Sequence, residues 1–182
     1  MNRRAHIKKL MALGAASALP AALWAGTERS EEAAVKSERA FGYKRSVSHW
    51  TVDDLDWDDL CGWLVQEGVE AVDLVGPENW HHLKKHGLDS SMCNGAELNL
   101  VDGFIHEEFE GVLHERYRAM IPRVAKAGHE NLICFSGNRR GLSEEEGLEQ
   151  AVKALQPMVA LAEEHGVVLQ MELTQQSIIY VT

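Results

Sequence analysis

The feature that most constrains this chain is an alternation that begins near Lys44 and recurs to Leu173: a short run of β-forming residues, then a stretch with helical spacing, five times over. The strand candidates are 45–50, 69–75, 90–93, 131–135 and 167–173. The helices between them carry recognisable ends. Thr51 with Asp54 reads as an N-cap for a helix running to about 67, with Leu55, Leu60 and Leu64 toward the core and Gly68 as its stop. A short helix follows over 78–86, closed by Gly87. A third spans 108–127 with Val112, Leu113, Met120, Ile121 and Val124 on its inner side and Pro122 as a kink. Ser143 and Glu146 make a capping box for the fourth, whose core stripe is expected to be Leu148, Val152, Leu155, Val159 and Ala162, with a kink at Pro157 and Gly166 as its stop.

Strands that alternate with helices pair in parallel through right-handed crossovers, so the fold class is α/β. A closed (β/α)8 TIM barrel takes about 250 residues. The roughly 140 residues after position 43 suffice for about five units. Two architectures remain open on periodicity alone: a small doubly wound domain, or the first five units of a barrel. No GxGxxG follows the first strand and no GxxxxGK[ST] occurs, so nucleotide binding has no support.

The charge is just as selective. Of 18 basic residues, four (Arg3, Arg4, Lys8 and Lys9) lie within positions 1–26, which hold no acid; the rest of the chain sets 14 bases against 28 acids. Such a surface repels phosphate backbones, so no nucleic-acid partner is expected. Cys61, Cys93 and Cys134 lack CxxC or Cys/His spacing and read as buried, inert thiols. Paired arginines before the mild apolar run 10–25 resemble a twin-arginine export signal, too short and weak for a stable membrane span. The expected organisation is thus a signal over 1–26, a charged linker over 27–43 and a domain over 44–173, exported to the periplasm or beyond.

Candidate chemistry lies where strands end. The run Val167-Val168-Leu169-Gln170-Met171 reads as a buried strand delivering Glu172 into a loop, as barrel enzymes present catalytic groups. The loop after the fourth strand carries Asn138, Arg139 and Arg140; a guanidinium fork fits a carboxylate, and the competing reading is a salt bridge to Glu144–Glu146. His49 and Trp50 leave the first strand and Glu78 follows the second, as pocket-lining candidates. His81 and His82 point about 100° apart on a helix and lack a third ligand nearby, so a solvated face is expected there.

Five stretches together resemble the hydroxypyruvate isomerase family, one of the xylose isomerase-like sugar isomerase and epimerase barrels: Lys44-Arg45-Ser46-Val47-Ser48-His49-Trp50, Val72-Asp73-Leu74-Val75-Gly76-Pro77-Glu78-Asn79-Trp80, Leu83-Lys84-Lys85-His86-Gly87-Leu88, Asn131 through Gly141, and Met171-Glu172-Leu173. The resemblance implies a TIM barrel of which about five βα units are present, and a divalent metal of the magnesium or manganese type at the strand ends. It further implies an enediolate proton shuffle between hydroxypyruvate and tartronate semialdehyde by two metal-binding glutamates. Glu172 matches the first of these, as metal ligand and acid/base; the other ligands belong to later strands of the family. Residues 174–182 match nothing in it and read as an unrelated tail of a truncated, inactive form that could associate into homo-oligomers through its open edges. A ketose epimerase is the alternative within the fold, and a non-catalytic exported binding domain the alternative outside it; the partner in either enzyme is a small 2-oxo acid or sugar.

Overall fold

A computed structural model describes residues 44–174; the signal and linker expected over 1–43 and nearly all of the 174–182 tail lie outside the described residues. Five strands, β1 (Ser46–Ser48), β2 (Ala71–Val75), β3 (Asp89–Cys93), β4 (Asn131–Phe135) and β5 (Val168–Glu172), form one sheet in the order β1-β2-β3-β4-β5, every pair parallel. The connections carry α1 (Trp57–Gln66), α2 (Trp80–His86), α3 (Glu110–Ala127) and α4 (Glu144–His165). Strict sequential order with no switch point is the topology of a barrel wall. The chain is therefore a partial (β/α)8 barrel, and the doubly wound alternative falls.

Local chemistry explains where the elements begin and end. The first helix starts later than expected: 49–51 is a turn of 3-10 helix, and Asp56, not Thr51, caps α1 by accepting from the amides of Asp58 and Asp59 at 2.9 and 3.2 Å. An Asp at that position satisfies two donors the helix cannot use itself. Arg45 closes the other end, donating to the carbonyls of Glu67 and Gly68. The capping box of α4 is present as expected, with Ser143 and Glu146 exchanging side-chain and backbone bonds. Gly166, at φ 68°, ends that helix in the left-handed region.

Two apolar clusters lie between sheet and helices, one around Val72, Val75, Leu60, Leu64 and Leu83, the other around Leu132, Cys134, Leu113, Tyr117 and Ile121. Val72 and Val75 reach the same cluster because Leu74 adopts φ 60° beside a register shift, which reverses the strand's alternation. The three cysteines are free and buried, as expected, and burial pushes the Cys134 thiol up to about 12.

The stripe expected on α4 holds at Ala162, which is buried, and at Leu155, which packs half-buried against the core, and fails at its other three positions. Its buried residues are Gly147, Ala151, Ala154, Met158 and Ala162, while Leu148, Val152 and Val159 are exposed. Val112 of α3, also expected inward, is exposed, while its neighbour Leu113 is buried. The fifth strand also departs from expectation. It is an edge strand, its residues alternating between exposed and half-buried, with Val168 54% exposed. A strand is buried only where both of its faces are covered, and here only the face carrying Leu169 and Met171 packs against the core.

Candidate functional site

Successive side chains of a strand alternate faces, so Leu169 and Met171, packed against the helical core, place Gln170 and Glu172 on the opposite face. That face carries a polar row. The Ser91 hydroxyl donates to Asp73, Asn131 Nδ2 donates to the Ser91 carbonyl at 2.9 Å, and Gln170 Nε2 donates to Asn131 Oδ1 at 2.7 Å. Glu172 stands one step further, exposed, at the C-terminal end of the sheet and in register with Phe135 of β4.

The β4 loop folds directly over this end. The Ser136 amide donates to the Glu172 carbonyl at 3.2 Å. Thr174 Oγ1 reaches the Gly137 carbonyl and Asn138 Oδ1, both at 3.1 Å. Glu172 and Asn138 are thus brought together through backbone and Thr174, a residue the sequence reading left in the unmatched tail.

The two arginines have different fates. Arg140, at φ 47°, pairs with Asp102, lies 3.9 Å from Glu108 and stacks its guanidinium 5.8 Å from the Phe109 ring centre. Asn99 first, then Arg140, holds the Asp102 carboxyl below its usual range. Arg139 spends Nε on the Leu142 carbonyl at 2.7 Å and has no carboxylate partner among the described residues. The expected alternative, a bridge to Glu144–Glu146, forms for neither. Arg139, exposed on the loop whose Ser136 amide meets the Glu172 carbonyl and without an acid among the described residues, can meet an incoming anion; Arg140 is occupied in holding the loop.

The remaining candidates stand apart. His49 is half-buried and stacked on Trp57 with centroids 4.2 Å apart, and its pKa is lowered by burial, opposed by the Asp53 charge. Trp50 is exposed. Glu78 is exposed and turns its carboxylate back over Gly76. No hydrogen bond or ion pair among the described residues joins these three to Glu172. His82 is not on a solvated face as expected: with His86 it contacts Asp58 Oδ1, at 3.3 and 3.1 Å, and Lys85 takes Oδ2 at 2.6 Å. The signal missed was distance in sequence, since the acid lies on another helix.

A divalent ion needs about six oxygen donors. Among the described residues, no group of three or more His, Cys, Asp or Glu side chains is arranged to hold a metal. Glu172 alone does not fit the ion the family resemblance implies. The same residues include no helix long and apolar enough to cross a membrane.

The class these features define is a segment of a (β/α)8 barrel. No protein-family model and no curated protein matches the sequence. Solved structures do match in fold. A family 2 AP endonuclease from Brucella melitensis is 14% identical, with a TM-score of 0.58 over 71% of this chain and 55% of its own. The IolI protein with a bound zinc atom is 13% identical, with a TM-score of 0.59 over 75% and 54%. The 3-keto-D-glucoside 4-epimerase YcjR from E. coli is 13% identical, with a TM-score of 0.56 over 74% and 58%. The chain thus spans about half the length of the structures it matches.

Proposed function

We propose that this chain carries the substrate-carboxylate side of an isomerase acting on a small 2-oxo acid, in the hydroxypyruvate to tartronate semialdehyde sense. The observation that supports it is Arg139, without an acid partner among the described residues, on the loop that bonds to the backbone of Glu172. Arg139 binds the carboxylate in a fork and orients the neighbouring carbons. Glu172 serves as one of the two proton carriers. Loss of a proton from the hydroxymethyl carbon leaves an enediolate; a proton returned to the adjacent carbon, with the hydroxyl proton passing from one oxygen to the other, moves the carbonyl with no net change in oxidation state. An unaided carboxylate is a weak base toward such a carbon, so turnover requires electrophilic groups beyond those described.

The fold neighbours include a sugar epimerase, which supports ketose epimerisation as a second reading. Calorimetric titration of the purified protein with hydroxypyruvate and with dihydroxyacetone separates them. Preference for the acid, lost in Arg139→Gln, is expected; equal affinity for both moves the assignment to epimerase, and binding of neither rules out both. Export by a twin-arginine route is part of the proposal, and fusing residues 1–43 to a folded reporter tests it: a reporter retained in the cytoplasm overturns it.

A further inference from the structure

The loop that presents Asn138 and Arg139 is held by a residue that has no place in the chemistry just described. His106 lies on the long β3–α3 connection, 4% exposed, its ring edge-on to Phe109 at 5.8 Å. Its two nitrogens face backbone groups of fixed character. The Gly103 amide is 3.2 Å from Nδ1, and the Asn138 carbonyl oxygen is 2.8 Å from Nε2. An amide can only donate and a carbonyl can only accept, so Nδ1 is bare and Nε2 carries the proton. The ring is neutral, in a single tautomer.

Around it the connection lies against the loop like an extra strand. The amides of Phe104 and Ile105 donate to the carbonyls of Phe135 and Ser136, each at 3.1 Å, and the Asn138 amide donates to the Val101 carbonyl at 2.9 Å. The fit leaves no room. A Cβ on Gly103 would collide with the Phe135 carbonyl, and one on Gly137, at φ 86°, would stand 2.7 Å from His106 Cε1. Asn138 is therefore gripped at its amide by Val101, at its carbonyl by His106 and at its side chain by Thr174. Of these, only the imidazole spans from one chain segment to the other with a donor and an acceptor at once.

We propose that His106, as the neutral Nε2–H imidazole, is the positioning residue that fixes the Asn138 carbonyl and so aims Arg139 at a small carboxylate ligand. The role of Arg139 rests on the function proposed above; the clamp itself does not. Without His106, the Asn138 carbonyl loses its buried donor and the loop is free to turn, so affinity for the carboxylate falls while the acid at Glu172 is untouched. Gln places an amide donor near the Nε2 position and restores the bond to Asn138; Ala does not.

Two measurements test this. Nitrogen-15 and proton NMR of the wild-type ring at neutral pH is expected to show a slowly exchanging Nε2 proton and an unprotonated Nδ1; a protonated Nδ1 overturns the proposal without any variant. Amide exchange and hydroxypyruvate titration of His106→Ala and His106→Gln follow. Ala is expected to lose protection at Ile105 and Asn138 and to weaken hydroxypyruvate binding about tenfold, as one buried charge-positioning bond implies. Gln is expected to recover both. Protection unchanged in Ala overturns the clamp. Where wild-type protein binds no carboxylate yet the tautomer and protection behave as stated, the function reading fails and the clamp stands.

Discussion

Asp58 shows how much a single side chain can gather. Lys85 first, then His82 and His86, hold its carboxyl well below the usual carboxylate range, joining α1 to α2. A carboxylate whose folded pKa is depressed stabilises the fold above its unfolded value, near 4, and that contribution is lost as pH falls below it. Thermal melts are expected to show the wild type losing stability between about pH 4 and pH 2 more steeply than Asp58→Asn; parallel acid limbs would mean the cluster is inert. At Gly103 the expected effect is steric. Gly103→Ala forces its methyl group against the Phe135 carbonyl and should cost about 1–3 kcal/mol in denaturant titrations, as overpacking does. The positions of Glu172 at the end of β5 and of Arg139 on the loop after β4 were legible, because a strand end announces itself in the sequence. Asp58, Asp102 and His106 were not, because each acts on a partner 24 to 38 positions away and no spacing rule reaches so far.

At the scale of the element, the order of strands and helices was readable from periodicity, and the caps at Ser143 and Gly166 were readable from residue type. The inward face of α4 was not. Leu148, Val152 and Val159 are more apolar than Gly147, Ala151 and Ala154, so hydrophobicity alone misplaces three of the five stripe residues. Packing reverses the choice, because α4 lies against α3 and the sheet, where small residues let backbones approach. The consequence is measurable. Met158→Ala should destabilise by about 2–5 kcal/mol, whereas Val152→Ala should stay within about 0.5 kcal/mol. Equal costs in chemical denaturation would put the stripe back where the sequence suggests. Ser143→Ala removes the cap and should cost about 1 kcal/mol.

For the whole molecule, the barrel class was legible only through the resemblance, since five repeats alone allow an open sheet as well. The described sheet leaves β1 and β5 each paired on one side only, and β5 brings half-exposed apolar residues to its edge. Unpaired strands template association. Sedimentation is expected to show self-association that rises with protein concentration and falls in Val168→Lys; a monomer at all concentrations would show the edge to be covered. With no group of three or more His, Cys, Asp or Glu side chains arranged to hold a metal among the described residues, manganese or magnesium is expected to leave the melting temperature unchanged, and a saturable upward shift would reveal donors that the described residues do not include.

The sequential order of the strands also bears on how the sheet is made. Each strand hydrogen-bonds to the one synthesised just before it, so no pairing waits for a distant segment. Ribosomes deliver about 5–20 residues per second, far slower than a βα unit needs to dock. The wall can therefore be laid down strand by strand on the emerging chain, with the Asn138 loop seated against an already folded 101–106 segment before Glu172 has left the tunnel.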